Sequence, residues 1–127
     1  IKATGMDDKI IQTGFRSDVP QIAKSCDVLV LPSEREGLPR VVLESLAVGT
    51  PVITSANEGA MEIIDDKING YVVPIGDGKA IADRIRLLID NADLLLQLNN
   101  NAQKTIATNM SHDKTVRDME KFFQSVL

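Results

Sequence analysis

Five charged side chains follow an apolar run at residues 27–31 and carry the groups best suited to chemistry. They are three acids and two arginines: Glu34, Arg35, Glu36, Arg40 and Glu44. Glu44 is unusual because apolar residues flank it, and a buried carboxylate is costly unless a polar partner meets it. A pair of sugar hydroxyls would serve as that partner, since a carboxylate accepts two hydrogen bonds at once.

The backbone between these acids is suited to binding a phosphate. Gly37 lets a ligand approach the main chain closely, and Pro39 fits the first position of a helix, where its missing N–H costs nothing. The free amides of such a first turn, together with the helix dipole, favour an anion. The segment therefore predicts an anion site at the start of a helix.

A purely structural interpretation of the same acids stays open on spacing alone. Arg40 stands four residues before Glu44, so the two could form a surface ion pair. Such pairs contribute only about 0.2–0.5 kcal/mol. Glu34 and Glu36 could simply favour the positive end of the helix dipole.

Alternating strands and helices would position this segment. The apolar patterns predict strands over residues 10–13, 27–31, 51–54 and 71–73, and helices over 19–25, 39–48 and 60–64. The run at 27–31 is continuously apolar, which predicts a strand buried on both faces. Further along the chain, helices alone are predicted, over 80–90, 93–108 and 111–126. The alternation indicates a parallel sheet, whose ligands bind at the carboxyl ends of its strands.

Composition excludes several classes of protein. The chain has 127 residues, 43% of them hydrophobic and 25% charged, which is typical of one soluble globular domain. A formal net charge of −4 and only 3% aromatic residues argue against nucleic-acid binding. The single cysteine excludes an internal disulfide, and no apolar run approaches the length that a membrane span requires.

The two glutamates stand in a longer pattern of Gly, Leu and Pro positions. It reads Glu-Gly-Leu-Pro-x-x-x-Leu-Glu-Ser-x-Ala-x-Gly-x-Pro-Val, beginning at Glu36. This pattern closely resembles the signature of the family 4 retaining glycosyltransferases, also called the group 1 transferases. The resemblance extends along nearly the whole chain, through Gly14-Phe15, Asp-Val-Leu-Val-Leu-Pro-Ser and Asn69-Gly70-Tyr71-Val72-Val73.

The resemblance implies a fold and an activity. The fold is α/β, a Rossmann-like parallel sheet with flanking helices that forms the C-terminal half of a GT-B glycosyltransferase and ends in an all-helical tail. Residues 1–127 would be part of a nucleotide-sugar-binding domain, with strand–helix units over 1–78 and helices over 79–127. The enzyme would move a sugar from a nucleoside-diphosphate sugar to an acceptor with retention, a reaction common in polysaccharide biosynthesis.

The resemblance also implies which residues contact the sugar and phosphate of the donor. Glu36 would accept hydrogen bonds from hydroxyls of the transferred sugar. The backbone of Gly37, Leu38 and Pro39 would lie alongside that sugar. The amides of Leu38 and Arg40 would bind the phosphate.

The nucleoside would be held by other residues. Glu44 would bind the ribose hydroxyls, and Gly14 and Phe15 would lie in the vicinity of the nucleobase. The resemblance assigns no residue as nucleophile or base, and it implies neither a metal ion nor a cofactor.

The chain departs from the family in one loop. Glu58 replaces a glycine and Met61 replaces a proline that usually precede the glutamate at position 62, so no ligand role is assigned to Glu62.

Further parts of the enzyme are expected before Ile1. These are a basic Arg–Lys pair that neutralises the diphosphate, two strand–helix units and an acceptor-binding N-terminal domain. The fragment alone is therefore expected to be inactive and to expose a sheet edge through which it could self-associate. The strand over 10–13 would lie on the far side of the missing strands from the strand over 27–31. A cytoplasmic enzyme, peripheral to a membrane in its full-length form, is the expected localisation.

Two other functions stay open at this stage. A glycoside hydrolase could use Glu36 and Glu44 as its carboxylate pair, which would require them to face each other about 5–9.5 Å apart across a cleft. A non-catalytic nucleotide-binding module would need the nucleotide contacts alone.

Overall fold

The computed structural model of the chain describes residues 5–109, Lys121 and Gln124, and its centre is a sheet of parallel strands. The strands lie in the order β1 (Leu29–Leu31), β2 (Val52–Ser55) and β3 (Gly70–Val73). The flanking helices are α1 (Val19–Lys24), α2 (Arg40–Ala47), α3 (Glu58–Met61), α4 (Gly78–Ile89) and α5 (Ala92–Asn109). The predicted α/β fold with a parallel sheet is confirmed.

The central strand, β2, is buried along its whole length. Successive side chains of a strand point to opposite faces, so β2 serves two apolar clusters. Val52 packs with Val42, Leu46 and Ala102 on one face, and Ile53 packs with residues of β3, α4 and α5 on the other. Helices therefore cover both faces of the sheet, as parallel sheets require.

Strand β1 is less buried than its apolar sequence predicts. Leu29, Val30 and Leu31 are each only half-buried, because within the described part of the chain β1 pairs with β2 alone. As predicted, its side chains pack on both faces of the sheet, Leu29 and Leu31 against one apolar cluster and Val30 against the other, but the open edge leaves each of them partly exposed.

The predicted strand over residues 10–13 does not form in the structure. A short 3-10 turn, Asp7–Lys9, is followed by Ile10, whose backbone is extended with φ −117° and ψ 122°. No described strand pairs with this segment, and the side chain of Ile11 is exposed. An extended apolar segment becomes a strand only when another backbone bonds to it, so local propensity misled the prediction here.

Helix positions were predicted within a few residues. Pro39 lies directly before α2 rather than in its first position, and Gly49 follows the helix with a φ of +87°, as the predicted glycine cap requires. The carboxylate of Asp77 accepts a hydrogen bond from the amide of Ala80 at 2.8 Å and caps α4. The predicted helix over 111–126 lies outside the described residues except for Lys121 and Gln124. None of the described helices is both long and apolar enough to span a bilayer.

A buried side-chain network ties the turn before β3 to α5. The Asn69 amide donates to the carbonyl of Ile63 and to the hydroxyl of Thr105, both at 3.2 Å. Its oxygen accepts a hydrogen bond from the amide of Asp65 at 3.0 Å. Because Asn69 is fully buried, these bonds replace all of its contacts with water.

We predict unequal costs for truncating two leucines of α5. Leu98 is 0% exposed and packs against Ile53 and Tyr71, whereas Leu96 is 60% exposed on the same helix. Leu98→Ala should lower the free energy of unfolding by about 2–5 kcal/mol, because it leaves a cavity. Leu96→Ala should change it by no more than about 0.5 kcal/mol. Urea unfolding of both variants measures the difference, and equal losses would contradict this assignment of the core.

Candidate functional site

A cleft of about 420 Å³ opens at the carboxyl ends of the strands. Loops that follow all three strands line it: Glu34, Arg35 and Glu36 after β1, Ala56, Asn57 and Glu58 after β2, and Ile75 after β3. Because the strands are parallel and aligned, with Leu31 opposite Thr54 and Ser55 opposite Val73, these loops meet at one edge. The sequence predicted a site in the loop after Leu31, and the structure shows this cleft there.

The cleft is acidic. Its lining carries the carboxylates of Glu34, Glu36 and Glu58 and a single guanidinium, that of Arg35. Glu36 is half-buried, while the other two acids are exposed. Ionised carboxylates accept hydrogen bonds and donate none, so this lining suits a ligand rich in hydroxyl groups.

Two residues after β2 support the backbone of the loop that carries Glu36. The side-chain amide of Asn57 donates a hydrogen bond to the carbonyl of Ser33 at 3.2 Å. Gly59 lies so close to the loop that a Cβ atom on it would overlap the carbonyl oxygen of Gly37. The carbonyl groups of Glu36 and Gly37 therefore rest directly on α3 at Gly59.

The amides before α2 are available to an anion. Within the described residues, no main-chain carbonyl accepts a hydrogen bond from the amide of Gly37 or of Leu38. Arg40 is the first residue of α2, where an amide has no acceptor inside the helix. A Cβ atom on Gly37 would meet nothing within 4 Å, so a ligand can reach this backbone. Amides grouped at a helix start are suited to binding phosphate.

Glu44 is more exposed than its apolar surroundings predict. Its side chain is 31% exposed, and its Oε1 lies 3.5 Å from a guanidinium nitrogen of Arg40, which is itself 86% exposed. Helix α2 buries only Val42, Ser45 and Leu46, so the apolar residues that flank Glu44 do not enclose its carboxylate. The surface ion pair left open by the sequence is present, and such pairs contribute only about 0–1 kcal/mol.

The structure does not bring all the sequence-predicted site residues together. Glu36 lines the cleft at the strand ends, whereas Glu44 does not. Gly14 and Phe15 lie in the segment before α1, and Phe15 is 98% exposed beside a separate shallow depression. Next to it, the guanidinium of Arg16 bonds the carboxylate of Asp18 at 2.6 Å, which lowers the pKa of Asp18.

Four residues of the cleft were not identified from the sequence as site residues. Ala56, Asn57 and Glu58 come after β2, and Ile75 comes after β3. Their position just beyond predicted strands was the available signal, because parallel strands gather the residues that follow them. From the sequence, Glu58 was identified only as a departure from the family pattern and not as a site residue.

A family comparison matches most of the chain. The family described as "Glycosyl transferases group 1" matches residues 1–105. Among curated relatives, EpsD of Bacillus subtilis, named as a glycosyltransferase, is 38% identical over 114 residues, which is 90% of this chain and 30% of EpsD. The chain thus spans less than a third of the length of this relative.

Solved structures show the same fold. Alr3699/HepE of Anabaena in complex with UDP matches with a TM-score of 0.91 at 25% identity, over 98% of this chain and 35% of that protein. The same protein has also been solved with UDP-glucose. The C-terminal domain of LpcC, a group 1 family protein from Francisella tularensis, matches with a TM-score of 0.79 at 30% identity, over 87% of this chain and 58% of that domain.

Proposed function

We propose that this chain, which belongs to the group 1 glycosyl transferases, is the part of a longer transferase that binds the nucleoside-diphosphate sugar donor. The observation that carries the proposal is the cleft at the strand ends, where Glu36 is part of the lining and directly precedes, along the chain, the free amides of Gly37 and Leu38. HepE, which is similar over 98% of this chain, has been solved with UDP and with UDP-glucose.

In this proposal, Glu36 contacts the sugar of the donor, and the amides that follow it contact the phosphate. Glu36 accepts hydrogen bonds from sugar hydroxyls in the cleft that it lines. Gly37 leaves room for the sugar, since nothing stands within 4 Å of where its Cβ atom would be. The amides of Leu38 and Arg40 donate to the phosphate, and Pro39, which has no N–H, contributes contact only.

Glu44 binds the ribose in this proposal by exchanging partners. Its carboxylate is partly exposed and its present partner is the exposed Arg40 at 3.5 Å. Because that ion pair stabilises little, a ribose diol that donates two hydrogen bonds can replace it. Phe15 offers an exposed ring, and Gly14 an adjacent backbone, for the nucleobase.

The acidic cleft opposes the charge of a diphosphate. Three carboxylates line it against one guanidinium, so helix-start amides must be assisted by cations from elsewhere. We propose that a basic Arg–Lys pair and an acceptor-binding N-terminal domain of the longer enzyme complete the site. This chain alone is then a weak donor binder with no transferase activity.

The glycoside hydrolase alternative finds less support in the geometry. Its two carboxylates must face each other across one cleft. Glu36 lines the cleft while Glu44 pairs with Arg40 outside its lining, an arrangement that favours separate contacts to sugar and ribose.

Substituting the two glutamates should separate the sugar contact from the ribose contact. In the full-length enzyme, Glu36→Gln should weaken UDP-glucose binding about 10- to 100-fold and leave UDP binding unchanged, because UDP has no sugar to contact. Glu44→Gln should weaken the binding of both UDP and UDP-glucose, because both contain the ribose. Calorimetric titration measures the affinities, with GDP- and ADP-glucose run in parallel to identify the preferred base.

The matched control for these variants is Glu62→Gln, at an exposed glutamate outside the cleft lining. It should bind both ligands like the wild type. Unchanged UDP-glucose affinity in Glu36→Gln would contradict the sugar contact. UDP binding with no preference for any sugar nucleotide would favour a nucleotide-binding module.

We expect the transfer to retain the anomeric configuration, as the resemblance to the retaining transferases implies. The product's anomeric proton coupling in an NMR spectrum, compared with that of the donor, measures this. A product of opposite configuration would contradict the retaining reaction.

We also expect donor binding to need no metal ion. The resemblance to the group 1 transferases implies no metal ion at the donor site. Dialysis against EDTA should therefore leave the dissociation constant of UDP-glucose unchanged. A loss of affinity that added Mg²⁺ or Mn²⁺ restores would overturn this expectation.

A further inference from the structure

We propose that Asn57 is a positioning residue, whose side-chain amide fixes the loop that presents Glu36 to the donor. The statement that this loop binds a donor rests on the proposed function. The role of Asn57 in holding the loop rests on the hydrogen bonds of its side chain and does not depend on that function. Asn57 comes after β2, and it immediately precedes Glu58, where the chain departs from the family pattern.

The Asn57 side chain joins three parts of the site. It is 3% exposed, and its amide nitrogen donates to the carbonyl of Ser33, at the end of β1, and to that of Ser55, the last residue of β2, both at 3.2 Å. Its oxygen accepts a hydrogen bond from the amide of Ala60 at 2.9 Å, which caps α3. One amide group thus connects the ends of β1 and β2 to α3, the helix that follows β2.

The loop has few other ties to the fold. Within the described residues, the amides of Gly37 and Leu38 donate to no main-chain carbonyl, and Glu34 and Arg35 are exposed. The bond from Asn57 to Ser33 lies immediately before Glu34, and the contact of Gly59 with Gly37 lies immediately after Glu36. The acidic part of the loop is therefore held at both ends by residues 57–59.

Fixing the loop matters for binding because a mobile loop must be ordered when the ligand arrives. That ordering reduces the affinity, whereas a loop already held in place avoids the loss. With Asn57 in place, Glu36 is presented to a sugar in a set position. Without the hydrogen bond from Asn57 to Ser33, the carboxylate of Glu36 is still present but is not held in one position.

Asparagine is suited to this double role because its side chain both donates and accepts hydrogen bonds. Asn57→Asp keeps an oxygen that caps α3 but loses the N–H groups that bond Ser33 and Ser55. Asn57→Ala loses both functions. The two variants therefore separate holding the loop from capping the helix.

Asn69→Ala is the matched control. Asn69 is an equally buried asparagine with three side-chain hydrogen bonds, to Ile63, Thr105 and Asp65, and it does not line the cleft. Its removal should lower the melting temperature as a buried polar deletion does, and should leave the Glu36 loop unchanged.

The experiment compares the full-length wild type with these three variants by two measurements. The first is the backbone order parameter of Glu36 and Gly37 by NMR without ligand; the second is the dissociation constant of UDP-glucose. In Asn57→Ala and Asn57→Asp, the order parameters should fall from about 0.85 toward about 0.6. The affinity should fall about tenfold, as expected for one lost hydrogen bond. In Asn69→Ala both readouts should match the wild type.

The outcomes distinguish the two proposals. If Asn57→Asp matches the wild type in loop order, or if Asn69→Ala loosens the loop as much as the Asn57 variants do, the positioning role is overturned. If the Asn57 variants loosen the loop but keep full affinity for UDP-glucose, it is overturned as well. A loop loosened only in the Asn57 variants, with no binding of any sugar nucleotide by the wild type, would support the fixing of the loop and contradict the donor-binding function.

Discussion

The parallel pairing of β2 with β1 and β3 is the constraint on which the rest of the structure depends. β2 is completely buried and bonds a neighbour on each side, so its register fixes where all three strands end. The loops that follow must then meet at one edge, and the cleft forms there. Residues more than twenty positions apart, such as Ser33 and Asn57, come within hydrogen-bond distance because of this alignment.

The site combines two electrostatic environments that a sugar nucleotide needs at once. Its carboxylates suit hydroxyl groups, while the helix start suits a phosphate. The carboxylates weaken the phosphate site, because like charges repel over the short distances inside a cleft. In the proposed function, cations from outside the described residues offset this repulsion.

Much of the fold could be predicted from the sequence, because patterns within one segment determine it. The apolar run of β2, the glycine after α2 and the Asp77 cap of α4 are such local signals. The predictions that were wrong concern features that depend on contacts with residues far away in the sequence. Residues 10–13 have a strand's composition but no described strand beside them, and the exposure of Glu44 follows from how α2 packs. Glu36 was found through its motif, whereas Asn57 acts through a carbonyl 24 residues away, which no local pattern indicates.

The most direct test of donor binding at the strand ends is a map of amide chemical-shift changes in the labelled full-length enzyme as UDP-glucose is added. Donor binding at the strand ends should shift the amides of residues 36–43 and of Asn57 and Glu58, and should leave the amides of α5 unmoved. Saturable binding whose changes avoid the cleft, or no change at millimolar ligand in the full-length enzyme, would contradict it.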